Sequence, residues 1–221
     1  MLVSIIITCY NREKYIARAI RSAINQRFRK EDMEIIVVDD GSTDVSARII
    51  SDFGNDIEFI RLEKNRGLPI ARNIGVRKAR GRYVLMLDSD DYIHESLVYI
   101  EHLFMSMNIH WGAVSCDYLI VDDNEYHLNR ISGASHPIAC GVMFKKDALI
   151  DIGLYDEEML LAEDKDLRLR FLQKYHIGNI ELPLYRYRKH SDNITNNGDL
   201  YEKYNQKIKK KYSESKKNDI L

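Results

Sequence analysis

Four short apolar runs, each ending in polar residues and each followed by a helical stretch, constrain this chain more than any other feature. Residues 3–8 form a β-branched run, after which Tyr15, Ile16, Ala19, Ile20, Ala23 and Ile24 recur at helical spacing. Residues 35–38, 57–62 and 83–87 repeat the apolar theme. A helix through about residue 53 is predicted after the second run, with Ser42-Thr43-Asp44 as its capping chemistry. Leu68, Ala71, Ile74, Gly75 and Ala79 form the narrow stripe of the next helix. Strands apolar on both faces, alternating with helices, predict a parallel, right-handed, doubly wound sheet. After a helix at about residues 95–107 the pattern changes. Residues 113–121, 138–144 and 177–187 read as strands, with one helix near 164–175, and are expected to extend the sheet with antiparallel additions.

At 221 residues the chain suits one sizeable domain. Its 33 basic and 34 acidic residues make a nucleic-acid partner a poor expectation. The balance hides a gradient: residues 201–221 hold seven Lys against three acids, which leaves residues 1–200 net acidic. That basic tail, polar or helical, is a candidate for peripheral contact with an anionic membrane. Cys9, Cys116 and Cys140 are scattered and offer neither a disulfide framework nor zinc-ligand spacing. Residues 2–9 lack a basic leader and read as a strand rather than a signal peptide. No stretch reaches the roughly 20 apolar residues of a membrane span. The expectation is a cytoplasmic protein.

In open parallel sheets, ligands sit at the carboxyl ends of the strands. Here the first run ends Thr8-Cys9-Tyr10-Asn11, the second Asp39-Asp40-Gly41-Ser42 and the fourth Asp88-Ser89-Asp90-Asp91. Five carboxylates on one rim repel, and a divalent cation or ligand donors would relieve them. Asp88-Ser89-Asp90 is a D-x-D, whose oxygen donors suit a hard cation such as Mg²⁺ or Mn²⁺ bridging nucleotide phosphates. The plainer reading is that such acids cap helices.

Three blocks together resemble the signatures of family 2 glycosyltransferases: Val37-Val38-Asp39-Asp40-Gly41-Ser42-Thr43-Asp44, Asn65-Arg66-Gly67 with Ala71-Arg72-Asn73, and Leu87-Asp88-Ser89-Asp90-Asp91. The resemblance covers roughly residues 1–195. It implies a GT-A fold, with a nucleotide-binding half at about 1–92, an acceptor half at about 93–200, and a nucleotide-sugar donor, UDP-sugar favoured. It implies that Thr8, Tyr10 and Asn11 hold base and ribose and that Asp40, with Asp39, accepts the imide N–H of uracil. A carboxylate serves guanine equally, so the base stays open. By the same resemblance Arg72 binds base or diphosphate, Asp88 faces ribose or sugar, and Asp90 is the principal ligand of Mn²⁺ or Mg²⁺. His190 would complete the metal or diphosphate site. Asp164 would be the general base, with Glu163 contacting the acceptor and Cys140 and Gly141 lining the acceptor side; Asp166 is the nearest rival to Asp164. The implied reaction is an inverting displacement onto a saccharide or lipid-linked saccharide, in cell-surface polysaccharide or glycolipid synthesis.

Two other functions fit parts of the pattern. A sugar-nucleotide nucleotidyltransferase would need a Gly-rich phosphate loop after the first strand, and Thr8-Cys9-Tyr10-Asn11-Arg12 contains no Gly. A non-catalytic nucleotide-binding module would not need Asp90 and Asp164. Oligomeric state has no signal in the sequence.

Overall fold

The computed structural model describes residues 1–191, 193, 202–204 and 206–212. Its centre is a parallel unit of β1 (Val3–Cys9), β2 (Met33–Asp39), β3 (Glu58–Arg61) and β4 (Tyr83–Asp88), in spatial order β3-β2-β1-β4. Every residue of β1 and β2 is buried, as expected of strands covered on both faces. Helices α1 (Ile16–Ile24), α2 (Ser46–Ser51) and α3 (Leu68–Lys78) make the crossovers. Ile16, Ala19, Ile20 and Ala23 are the buried apolar stripe of α1.

Beyond β4 the chain reverses its pairing. β8 (Val142–Lys145) runs antiparallel to β4, and β6 (Trp111–Val121) runs antiparallel to β8. β9 (His176–Arg188) lies parallel to β6, and β5 (Tyr92–Ile93) pairs antiparallel with β9. β7 (His127–Ile131) adds to β6 as a hairpin arm. The expected parallel sheet with antiparallel additions is present, except that β9 is a parallel addition. Three further α-helices are α4 (Leu97–Met107), α5 (Lys146–Asp151) and α6 (Glu163–Leu172), and short 3-10 turns at Lys30–Asp32 and Gly54–Asp56 precede β2 and β3.

Several boundaries differ from expectation. The strand expected at 138–144 begins only at Val142, because Gly141 is left-handed at φ 66° and turns the chain into β8. The helix expected after Ser42-Thr43-Asp44 and through about residue 53 runs from Ser46 to Ser51. Asp44 lies outside it and accepts the Ser46 N–H at 2.9 Å, an Asx turn ahead of the helix rather than a side-chain cap at its Ncap residue, Val45. β5, β7 and α5 lack a sequence signal: β5 is two residues long, and four of the five residues of β7 are exposed. No helix among the described residues is long and apolar enough to cross a membrane.

Candidate active site

Pairing register assembles the site. Cys9 lies beside Asp39 and Thr8 beside Asp88, so the ends of β1, β2 and β4 share one rim. The loops beyond them are tied together by side chains. Asn11, in the left-handed region at φ 51°, accepts the Thr43 N–H at 2.8 Å through Oδ1, while its own N–H donates to Ser42 Oγ at 2.9 Å. Asp40 accepts the Arg66 and Gly67 N–H groups, each at 2.8 Å. Burial raises the Asp40 pKa against the pull of those two bonds. Asp40 thus clamps the turn from which α3 starts. Asp39 is wholly buried, accepts the Ser42 N–H at 3.2 Å, and has its second oxygen 3.4 Å from Arg61 Nε. Thr8 is buried, whereas Tyr10 is 41% exposed at the rim.

Arg72 is the centre of the arrangement. It projects from α3 into the protein with its side chain 2% exposed. Nη1 donates to Glu163 at 2.6 Å, Nη2 to Asp88 at 2.9 Å, and the Cys140 sulfur lies 3.6 Å away. The guanidinium also sits over the Tyr155 ring, 5.4 Å from its centroid. Burial works against the charged guanidinium, but the surrounding acids outweigh it and raise its pKa well above the ordinary value. Glu163 is pushed by burial up to about 7; Arg72 pulls it down and neighbouring Asp164 pushes it further up. One buried cation therefore joins the end of β4 to the first turn of α6. Asp164 follows Glu163 in that turn and is partly exposed. Asp166 differs: it is wholly buried and receives Arg170, Lys211 and Tyr212 at 2.8, 2.7 and 2.9 Å. Its lack of access makes it a poor rival to Asp164.

A second group surrounds Asp90. Its Oδ2 lies 3.2 Å from Arg12 Nε and 3.0 Å from His190 Nε2. Burial alone would raise the Asp90 pKa, but His190 and Arg12 outweigh it and hold the carboxyl below its ordinary value. The His190 ring packs on Tyr15 with centroids 4.8 Å apart. Beneath this pair, Asp91 is buried and accepts the Tyr185 hydroxyl at 2.6 Å and the Arg188 N–H at 2.7 Å. Burial and the nearby Asp90 and Asp88 raise the Asp91 pKa well above normal. The Arg188 guanidinium donates to the Asp90 carbonyl at 2.9 Å and lies over the Tyr15 and Tyr92 rings.

The structure thus gathers Arg72, Asp88, Glu163 and Cys140 into one contact group, and Asp90 with His190 into a second that leaves the same β4 end. Cys140 is buried. A Cβ on Gly141 would come within 2.8 Å of the Tyr185 ring, so the backbone there lies tight against β9. Among the described residues no three His, Cys, Asp or Glu side chains form a ready metal cluster. Sequence reasoning missed Arg12, Tyr155, Tyr185 and Arg188. Their contacts span about 65 to 100 positions, beyond the reach of any local spacing pattern.

Residues 4–153 match the family model described as glycosyl transferase family 2. GgaB of Bacillus subtilis, named a minor teichoic acid biosynthesis protein, is 30% identical over 211 residues, 86% of this chain and 23% of that protein. TarS of Staphylococcus aureus, named a poly(ribitol-phosphate) beta-N-acetylglucosaminyltransferase, is 41% identical over 98 residues, 43% of this chain and 17% of TarS. A crystal structure of TarS 1–349 in complex with UDP-GlcNAc superposes with a TM-score of 0.77 at 25% identity, covering 91% of this chain and 64% of that one. The Pyrobaculum calidifontis mannosyltransferase PcManGT, in complex with GDP-Man and Mn²⁺, shares the fold with a TM-score of 0.69 at 18% identity, covering 86% of this chain and 57% of that one. The chain spans between about a sixth and a half of the length of the curated relatives it matches.

Proposed function

The chain belongs to glycosyl transferase family 2 and has the GT-A fold, and from that premise we propose that it transfers a sugar from a UDP-sugar to an acceptor hydroxyl with inversion. The observation that carries the reading is Arg72, buried between Asp88 and Glu163. That bridge joins the nucleotide-side strand ends to the helix bearing Asp164, so donor and acceptor chemistry meet at one place.

In this reading Tyr10 offers its exposed ring to the base, and Thr8, Asn11 and Asp39 shape the base and ribose pocket. Asp40, both of whose oxygens accept backbone N–H groups, acts there through the Arg66–Gly67 turn it holds. Asp88 retains 30% side-chain exposure, enough to face the ribose or the sugar. Asp164 accepts the proton of the acceptor hydroxyl as its oxygen attacks the anomeric carbon. The C1–O bond to the diphosphate breaks on the opposite face, and the electron pair leaves with the nucleoside diphosphate. Arg72 lends positive charge to that side, and Glu163, with Cys140 and Gly141 behind it, borders the acceptor.

Asp90 and His190 fit a divalent cation. The Asp90 carboxylate oxygen and the His190 imidazole nitrogen lie together, 3.0 Å apart, and would be the two side chains that hold it. A carboxylate oxygen with an imidazole nitrogen suits Mn²⁺ at least as well as Mg²⁺. When bound, such an ion supplies Lewis-acid stabilisation of the diphosphate.

The similarity to TarS and GgaB supports a cell-surface polysaccharide as acceptor. A cytoplasmic location, peripheral to the membrane, belongs to the same proposal. The test is a panel of UDP-, GDP- and dTDP-sugars assayed for Mn²⁺-dependent hydrolysis by wild type and Asp164→Asn. UDP-sugar turnover that falls by about 10²–10⁴-fold in Asp164→Asn, with UDP affinity retained, is expected. Near-normal turnover in that variant overturns the base assignment.

A further inference from the structure

We propose that the helical residues 206–212 position the base: Lys211 and Tyr212 act through Asp166, and Ile208 acts through Ala162, to aim Asp164. The proposal rests on the reading of Asp164 as the general base. A lysine-rich tail suggests a solvated or membrane-facing surface, and Lys203, Lys207, Lys209 and Lys210 are exposed, but Ile208, Lys211 and Tyr212 turn toward the protein. Lys211 Nζ reaches Asp156 and Asp166, each at 2.7 Å, and Tyr212 donates its hydroxyl to Asp166 at 2.9 Å. Lys207 donates to the Glu158 carbonyl at 3.0 Å. Ile208 is buried in a small cluster with Met159 and Ala162, flanked by Tyr204 and Tyr212.

These contacts fall on the segment that launches the base. Asp166 lies two residues after Asp164 in the same helical turn, and its N–H donates to the Ala162 carbonyl at 3.2 Å. Ala162 is the Ncap of α6 and is left-handed at φ 66°, a conformation alanine holds only where its surroundings impose it. No side-chain hydrogen bond caps this end. Glu163, Asp164 and Asp166 crowd three carboxyl groups into the first turn, where a lysine on Asp166 offsets their repulsion. Arg170 on Asp166 and Arg72 on Glu163 already offset part of that charge; Lys211 adds a second cation at Asp166, and Ile208 packs against the Ncap residue.

The experiment uses the full chain and the sugar nucleotide that wild type hydrolyses fastest, with Mn²⁺. Ile208→Ala, Tyr212→Phe, Lys211→Met and Lys211→Arg are assayed well below their melting temperatures, with Ala162→Gly added to Ile208→Ala and Asp164→Asn run alongside. Expected are kcat losses of about ten- to a hundredfold in Ile208→Ala and Lys211→Met, with KM and UDP affinity unchanged. A smaller loss is expected in Tyr212→Phe, and Lys211→Arg should retain activity. Ala162→Gly should restore part of the Ile208→Ala loss, since glycine adopts the left-handed conformation freely. Lower melting temperatures with wild-type kcat would overturn the proposal and leave the tail a purely structural brace. Loss of binding to anionic vesicles with wild-type kcat would overturn it in favour of a membrane contact. If Asp164→Asn is inactive while the tail variants keep kcat, the positioning role alone falls. If Asp164→Asn is active, the base reading falls and takes this proposal with it.

Discussion

Replacing Arg72 by Met tests how the two halves of the site are held together. The substitution leaves Glu163 in a buried place without its cation, whose Nη1 lies 2.6 Å from Oε1. With charge centres about 4 Å apart and an effective dielectric near 20, that attraction is worth about 4 kcal/mol. Breaking a buried pair by removing one partner typically costs about 3–5 kcal/mol, so the two figures agree. Asp88, the other partner, is 30% exposed and loses less because water replaces the guanidinium. For a chain of this size the loss lowers Tm by roughly 10 °C.

The pH dependence makes this test specific. In wild type, burial lifts Glu163 from an ordinary 4.5 to about 7 in spite of Arg72. The folded state then holds its proton more readily than the unfolded state between those values. Stability therefore falls as pH rises from about 4.5 to 7 and is level above. Without Arg72 the folded value is higher still, so the fall continues past neutrality at about 1.4 kcal/mol per pH unit. Arg72→Met should thus be only modestly destabilised at pH 6 and increasingly so toward pH 9. Urea unfolding at both pH values measures the gap, and adding Glu163→Gln should abolish its pH dependence. An equal gap at pH 6 and pH 9, or a double variant as unstable as the sum of the singles, would refute the reasoning.

Three further outcomes follow from individual positions. Gly41→Ala should lose at least about 2 kcal/mol in thermal unfolding, because φ is +73° and the new Cβ would sit 2.5 Å from the Lys64 carbonyl carbon; an unchanged Tm would contradict that close approach. Glu101 is buried in α4 with neither oxygen hydrogen-bonded among the described residues, and burial raises its pKa well above normal. Its stability cost grows as pH rises above the ordinary carboxyl range, so Glu101→Met should stabilise the protein at pH 8 by about 1–3 kcal/mol and less at pH 5, read by melting at both values. Asp90→Asn should weaken Mn²⁺-dependent UDP binding by roughly tenfold or more while leaving metal-free binding in EDTA little changed, as calorimetry would report.

Much of the architecture is written locally. Residues 3–8, 35–38 and 83–87 are apolar enough that only strands covered on both faces can accommodate them, and their intervening stripes require crossover helices. Helical crossovers make the strands parallel, so their carboxyl ends share one side, and the register brings Thr8, Asp39 and Asp88 to one rim. The second half is less legible. β7 is exposed and β5 is two residues long, so their pairing depends on neighbours that supply hydrogen bonds rather than on their own pattern.

The site divides along the same line. The strand ends determined by themselves which acids stand at the rim, since the carboxyl ends of parallel strands lie on one side of a sheet whatever their order. Only tertiary structure decided their partners. Asp40 holds a turn 26 residues away, Arg72 meets Glu163 across 91 positions, Asp90 meets His190 across 100, and Asp166 is enclosed by the basic segment that a linear reading leaves in solvent. The physical reason is that a carboxylate's role is set by what desolvates and neutralises it, and those groups arrive from elsewhere in the fold.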